Sequence, residues 1–234
     1  HSTNVADPHD VTQFTKWARQ TQQSHFPDVS LSALFNFAAR VGVRESVVDP
    51  ADYFATNTHG TLHLLDACRT LQIPKFLLAS TSSVYGTDTP LPFREDAAAD
   101  RPISPYAASK RAAELLAYSY HYLYRIDVSV LRFFTVYGPA GRPDMSVFRF
   151  VRSLCENEPI KLFGDGEQQR CFTYVDDIAA GVVAAVRPVG YEIINLGGHN
   201  QSSVNEMIAV LAQLTGNEPQ IVRHPSHPAD VFIT

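Results

Sequence analysis

Positive charge is thin in this chain and is nowhere gathered. Lys and Arg number 19 against 24 Asp and Glu, the formal net charge is -5 and no run of basic residues occurs, so neither a nucleic-acid face nor a surface for anionic membranes is expected. Cysteine is scarce as well. Cys68, Cys155 and Cys171 are far apart and odd in number, which excludes a disulfide framework, and they lack metal-ligand spacing, so no metal site is expected and a reducing, cytoplasmic setting fits best. No apolar run reaches the length of a membrane span, and no signal-peptide pattern stands at the start. Glycine is missing ahead of Gly42. A glycine-rich turn that cradles phosphates after a first strand therefore has no place here. With an opening His1 and a close directly after the apolar Val231-Phe232-Ile233, the expectation is a fragment shortened at both ends.

Apolar residues are plentiful, at 45% of 234, with 18% charged, enough for a sizeable core and for one large domain or a domain with a smaller lobe. A helix is expected from Val11 to Gln23 and a buried strand over Ala33–Ala39. Asp49-Pro50 then opens a helix in which Tyr53, Asn57, Leu64, Cys68 and Leu71 fall at helical spacing before Pro74. A strand over Phe76–Ser80, a helix over Pro105–Tyr124 and a strand over Val128–Phe134 follow. Such alternation predicts βαβ crossovers and an α/β fold with a parallel sheet covered on both faces. Beyond Tyr137-Gly138-Pro139, glycine and proline punctuate shorter elements, so residues 1–138 form the sheet domain and 139–234 a smaller lobe with return segments to the sheet. Ser203-Val204-Asn205-Glu206 reads as a capping box. It opens a helix whose Val204, Met207, Ile208, Leu211 and Leu214 make an apolar stripe, a core feature rather than a functional one.

Two segments carry chemistry: Ser80-Thr81-Ser82-Ser83-Val84-Tyr85-Gly86 and Tyr106-Ala107-Ala108-Ser109-Lys110. Ser104 and Pro105 read as the N-cap and first residue of a helix, which places Tyr106 and Lys110 one turn apart on one face. A tyrosine titrates near ~10, and turning it into a base at neutrality takes roughly 4 kcal/mol of preference for the phenolate. A cation about 4 Å away supplies on the order of 4 kcal/mol at an effective dielectric of about 20. For an isolated Tyr-x-x-x-Lys the plain reading is two ordinary helix residues. Here Thr81 ends an apolar strand, at the sheet edge where open α/β folds bind ligands, and a hydroxyl beside a tunable phenol suits oxidation of an alcohol to a ketone.

At these residues the chain resembles the extended short-chain dehydrogenase/reductase superfamily, specifically the NAD-dependent sugar-nucleotide epimerases and dehydratases. The likeness runs from about Leu31 onward. It rests on Phe37-Ala38-Ala39, Asn57-x-x-Gly60-Thr61, the Ser80–Gly86 run, Tyr106-x-x-x-Lys110, Phe133-Phe134-Thr135-Val136-Tyr137-Gly138-Pro139 and Arg170-x-Phe172-Thr173-Tyr174-Val175-Asp176-Asp177. The resemblance implies a Rossmann-type doubly wound sheet, lacking its N-terminal strands here, with NAD as cofactor and a UDP-sugar as substrate. It implies that Tyr106 removes the sugar 4-hydroxyl proton, that Lys110 holds the cofactor ribose and lowers the tyrosine pKa, and that Thr81 hydrogen-bonds the same sugar oxygen. Phe37, Ala38, Ala39, Arg40, Val41 and Thr56 would line the cofactor, Phe134 would lie near the nicotinamide, and Asp10-Val11 would contact adenine. Arg170 would grip the diphosphate, and Lys161 and Phe163 would lie beside the uracil. Cys171 departs from the aspartate usual after that arginine. Without the glycine turn, weak NAD binding by the residues present is expected. The family also implies a homodimer through the helices near Tyr53–Leu71 and Pro105–Tyr124.

Within this family the pattern is most similar to UDP-glucuronate 4-epimerases, in Gly42-Val43-Arg44, Thr81-Ser82-Ser83, Thr135 and Gly141-Arg142-Pro143-Asp144-Met145. A hexuronate carboxylate needs several donors, which Thr81, Ser82, Ser83 and Thr135 could supply without a full counter-charge, with Arg142 nearby; Arg44 is counted with Ser82, Ser83, Thr135 and Arg142 among the substrate-binding residues that the resemblance implies. Ser82 and Ser83 also read plainly as turn residues at a strand end. A 4,6-dehydratase shares the oxidation but needs an added acid/base, and such members carry acidic residues after the catalytic threonine. A uronate decarboxylase uses the same triad. A non-catalytic nucleotide-binding remnant is the alternative of another class, and the joint presence of Thr81, Tyr106 and Lys110 speaks against it.

Overall fold

The computed structural model describes residues 3–198, 200–226, 228–229 and 232–233. In chain order its elements are α1 (Pro8–His25), β1 (Leu34–Asn36), α2 (Glu45–Val48), α3 (Pro50–Tyr53), a π-helical turn (Phe54–His59), α4 (Gly60–Leu71), β2 (Lys75–Thr81), a 3-10 turn (Ser82–Tyr85), α5 (Pro105–Tyr124) and β3 (Asp127–Phe133). Then come β4 (Thr135–Tyr137), α6 (Ser146–Cys155), β5 (Ile160–Phe163), β6 (Gln169–Tyr174), α7 (Val175–Ala184), β7 (Tyr191–Leu196), β8 (Gln201–Ser203), α8 (Val204–Thr215) and β9 (Ile221–His224).

The chain divides into two compact units, His1–Arg132 with Gly181–Asn195, and Phe133–Ala180 with Leu196–Thr234. The first holds a sheet in the order β1-β2-β3-β7, with β1 parallel to β2 in the register Leu34 to Phe76 and Asn36 to Leu78. This is the sheet layer that the alternation predicts, of the Rossmann type that the resemblance implies. Every residue of β2 is buried, as a strand covered on both faces must be. Its core joins Val11 of α1, Leu64, Leu65 and Cys68 of α4, Phe76 and Leu78 of β2, Ala113 and Ala117 of α5, and Val128 and Val130 of β3. Alanine at the α5 positions lets that helix approach the sheet closely. The fully buried Leu65 contributes on the order of 2–5 kcal/mol against truncation to alanine.

The second unit has its own core, Phe150 and Leu154 of α6, Ile160 and Leu162 of β5, and Val204 and Ile208 of α8. The expected capping box is formed: Ser203 Oγ accepts from Glu206 N at 3.1 Å and Glu206 Oε2 accepts from Ser203 N at 2.8 Å. Gly216 closes α8 in the left-handed region at φ 70°. Of the apolar run at the chain's end, Val231 and the flanking Asp230 and Thr234 lie outside the described residues, while Ile233 bridges to Gln169.

Two expected elements differ. The strand predicted over Ala33–Ala39 stops at Asn36, because the backbone beyond it is bound by a side chain instead of a neighbouring strand: Arg40 N donates to Asn57 Oδ1 at 2.8 Å, and Arg40 O accepts from Asn57 Nδ2 at 3.0 Å. The helix predicted to run from Pro50 to Leu71 is interrupted by the π-helical turn that carries Asn57. A π-turn adds a residue to one helical turn and marks sites where side-chain placement outweighs regular hydrogen bonding.

Candidate active site

Thr81 closes β2 with extended dihedrals, φ -151° and ψ 146°, and caps the 3-10 turn by accepting from Ser83 N at 3.2 Å. Its hydroxyl is therefore oriented by its own turn at the carboxyl end of the strand. Ser82 is buried and Ser83 half-buried. The turn ends at Gly86, φ 66°, where a Cβ would stand 2.5 Å from the Arg101 carbonyl oxygen. Only glycine suits that position.

Ser104 caps α5 by accepting from Ala107 N at 3.2 Å, with Pro105 in the first turn. Tyr106 and Lys110 then fall one turn apart, as their spacing requires. The half-buried Tyr106 ring meets the Tyr53 ring edge-on, centroids 6.3 Å apart at 79°, and Tyr53 Oη donates to Val41 O at 2.8 Å. Lys110 is 3% exposed. Burial pushes its ammonium down from 10.5 to about 8, and the Glu114 carboxylate acts in the opposite direction. The cation invoked to activate the phenol is thus itself partly discouraged by the burial that strengthens its field.

Three groups that sequence reasoning left without a role organise this region. Asn57, 1% exposed, holds Arg40 through both backbone atoms and donates to Ser109 Oγ at 2.9 Å, while Ser109 Oγ donates to Tyr106 O at 2.8 Å. Thr58 Oγ1 adds a bond to Ser109 O at 2.9 Å. One amide therefore ties the loop after β1 to the helix turn that bears Tyr106. The neighbouring Thr61 Oγ1 bonds Asn57 O at 2.7 Å and accepts from Asn36 Nδ2 at 3.0 Å, and a Cβ on Gly60 would lie 2.8 Å from Val5 Cγ2. The Asn57-x-x-Gly60-Thr61 pattern is thereby explained physically.

Glu114 and Arg132 are the other two. Both side chains are wholly buried, and they pair through Arg132 Nε to Oε1 at 3.0 Å and Nη2 to Oε2 at 2.8 Å. Burial favours the neutral acid, but Arg132, Ser80 and Arg111 hold the Glu114 carboxyl below its usual range. The Arg132 guanidinium also lies 4.7 Å from the centre of the Tyr85 ring, which compensates a buried Nη1 that has no hydrogen-bond partner among the described residues. Tyr85 Oη in turn donates to Asn195 Oδ1 at 2.7 Å. The signal for this pair was an arginine inside the apolar Val128–Phe134 run.

The remaining predicted positions are distributed. Phe37, Ala38, Arg40 and Val41 are exposed, Ala39, Arg44 and Thr56 half-buried, and Arg40 pairs with Asp52. The Asp10 carboxylate accepts from Asn4 N at 3.1 Å and Val11 is a core residue. In the second unit, the half-buried Phe134 packs on Gly197 and Thr135 pairs with Phe172 in the β4–β6 ladder. Arg142 binds Asp144 by two hydrogen bonds of 3.0 and 2.6 Å. Lys161 is exposed on β5, Phe163 stacks at 5.2 Å from His224, and Arg170 Nη1 donates to the Gln169 and Phe232 carbonyls at 2.7 and 3.1 Å. Cys171, the departure from the family pattern, is buried in β6, and burial raises its pKa.

A cavity of about 450 Å³ between α1 and α4 is lined by residues such as Thr12, Lys16, His63 and Asp66 and includes none of Thr81, Tyr106 and Lys110. Among the described residues no group of three or more His, Cys, Asp or Glu is placed to hold a metal, and no helix is long and apolar enough to cross a membrane. The first unit suits an organic cofactor bearing hydroxyls. Lys110 adds a side chain 3% exposed on the helix that packs on β2 and on its terminal turn.

Comparisons with known proteins bear on the same residues. The model of the NAD dependent epimerase/dehydratase family matches residues 4–197. A UDP-glucuronate 4-epimerase of Thermodesulfobacterium geofontis is 50% identical over 226 residues, covering 96% of this chain and 68% of that protein. The crystal structure of a Bacillus cereus UDP-glucuronic acid 4-epimerase with UDP-glucuronic acid and NAD is similar at a TM-score of 0.86 and 35% identity, over 97% of this chain and 70% of that one. The Thermus thermophilus UDP-glucose 4-epimerase with NAD gives a TM-score of 0.87 at 28% identity, over 99% and 74%.

Proposed function

The chain belongs to the NAD dependent epimerase/dehydratase family, and on that premise we propose that it catalyses NAD-dependent 4-epimerisation of a UDP-sugar, with UDP-glucuronate and UDP-galacturonate as the interconverted pair. The observation that carries this reading is the set Thr81, Tyr106 and Lys110, held on a strand end and one helix turn, with Ser82 and Ser83 following the threonine where a dehydratase would need acidic groups.

Tyr106 acts as general base toward the sugar 4-hydroxyl and returns the proton in the second half of the cycle. Thr81, donor and acceptor at once, shares the same oxygen and steadies its proton. Lys110 supplies the positive field that favours the phenolate and donates to a cofactor hydroxyl. NAD, when bound, would supply a hydride acceptor for oxidation at C4 and the donor that returns the same hydride to the opposite face. Tyr106, Lys110, Thr56 and the Phe37–Val41 segment would hold it, and Phe134 is assigned to its nicotinamide. Arg44, Ser82, Ser83, Thr135 and Arg142 are assigned to the sugar and its carboxylate, Lys161 and Phe163 to the base, and Arg170 to the diphosphate, for which a forked permanent cation is suited. A homodimer through α4 and α5 belongs to the same reading, since Leu115, Tyr118, Tyr122 and Leu123 stand exposed on α5.

Chromatographic assay of UDP-glucuronate, UDP-galacturonate and any UDP-pentose tests the assignment. Tyr106→Phe is expected to lower turnover by about 10²- to 10⁴-fold with nucleotide-sugar binding retained. Turnover equal to the parent's in that variant would sink the assignment of the base, and UDP-pentose as main product would replace epimerisation by decarboxylation.

A further inference from the structure

We propose that Glu114 is a positioning residue for this site: its buried carboxylate pins the strand end that bears Thr81 to the helix that bears Tyr106 and Lys110, and its charge keeps the Lys110 ammonium protonated. The inference rests on the reading of Tyr106 and Lys110 as the acting pair.

One carboxylate accepts four hydrogen bonds from three elements. Ser80 of β2 and Arg132 Nε of β3 reach Oε1 at 2.5 and 3.0 Å, and Arg132 Nη2 and Arg111 Nη1 reach Oε2, each at 2.8 Å. Ser80 immediately precedes Thr81, and Glu114 lies one helical turn beyond Lys110, so the same group fixes both partners of the proposed proton transfer. With both oxygens doubly occupied, the carboxylate has no freedom to move.

Its charge has a second effect. Lys110, Arg111 and Arg132 place three cations around one buried anion. Remove the anion and the Lys110 ammonium loses the charge that offsets its burial, which even with Glu114 in place leaves it lowered to about 8. The elements packed on α5 offer no substitute: Asp52 of α3 is paired with Arg40, Asp66 of α4 is bound by Arg69 and Tyr120, and the exposed Glu45 of α2 lies over Gly42. Tyr53 and Tyr85 bond Val41 O and Asn195 Oδ1, and the π-helical turn Phe54–His59 contains no carboxylate.

A lock that served only stability would leave the lysine's titration alone. The chain has four lysines, so the Lys110 side chain is readily followed in the whole protein by ¹³C-lysine NMR from pH 6 to 11, its signal assigned by Lys110→Arg. In Glu114→Gln the midpoint is expected to fall by about one pH unit, a tenfold change in protonation constant. In Arg111→Gln, where a cation at the rim with a side chain 22% exposed is removed, it is expected to rise. A folded Glu114→Gln with an unmoved midpoint overturns the proposal. Should that variant not fold, Arg111→Gln decides, and a midpoint unchanged or lowered there overturns it equally. The readout needs neither substrate nor NAD, so it stands or fails separately from the epimerase reading, whose own failure would appear as absent turnover of UDP-glucuronate.

Discussion

Two lysines are buried in the first unit, and the molecule treats them in opposite ways. Lys75, 4% exposed, opens β2, and its ammonium is met by Asp127, by Ser129 Oγ at 2.8 Å and by Arg187 O at 3.0 Å. Asp127 then spends its second oxygen on Val189 N and Gly190 N at 2.7 and 2.6 Å. Lys110, 3% exposed, sits early in α5, which packs on β2 and on the turn at its far end; no such ring of acceptors surrounds it among the described residues. A buried charge whose hydrogen bonds are complete ties strands together. A buried charge left incomplete is held ready for a ligand, at a cost in stability.

The contrast can be broken by substitution. Lys75→Met removes a partner from Asp127 and is expected to lower the unfolding free energy by about 3 kcal/mol, the lower end of what breaking a buried pair costs. Urea denaturation at pH 7 measures it, and unchanged stability would show that the ring of acceptors around Lys75 contributes nothing.

Lys110→Met should act in the other direction. A fall from 10.5 to about 8 corresponds to about 3 kcal/mol, and because the folded state binds its proton more weakly than the unfolded chain, the penalty is fully present below pH 8 and is relieved as pH rises toward 10.5. The variant is therefore expected to be about 1–3 kcal/mol more stable at pH 7 while losing turnover. Its advantage should shrink as pH rises from 8 toward 10.5. A variant less stable than the parent at pH 7 would mean that Lys110 has acceptors enough.

Arg142→Ala sharpens the comparison from the side of water. Its two bonds to Asp144 join side chains that are 42% and 56% exposed, so stability should change by less than about 0.5 kcal/mol, whatever happens to uronate binding. A loss above about 1 kcal/mol in a thermal melt would place this pair with Lys75 instead.

Local signals read well from residues alone. Ser104-Pro105 marks the start of α5, the apolar run ending at Thr81 marks β2, and Ser203 with Glu206 marks α8; each is a contact between near neighbours in the chain. What could not be read is what distant residues do to one another. Phe37-Ala38-Ala39 looks like strand until Asn57, seventeen positions from Arg40, takes up that loop's backbone. Pro50–Leu71 has the spacing of one helix, and the π-helical turn appears only because the same asparagine must also reach Ser109, 52 positions away. Glu114 is unremarkable in its segment and Arg132 stands out only as a charge in an apolar run; their meaning lies in the pairing.

Considered as a matter of length, the π-helical turn is a surplus of one residue. Deleting one position between Phe54 and His59 would let the turn relax to the ordinary α pitch, with α4 still offering Leu64, Leu65 and Cys68 to the core. The residues on either side would instead rotate by about 100° relative to one another, and Asn57 would no longer point at both of its clients. The helix carries its tolerance to shortening at the one place where shortening disarms it, so drift in chain length here is tested by function before it is felt by the fold.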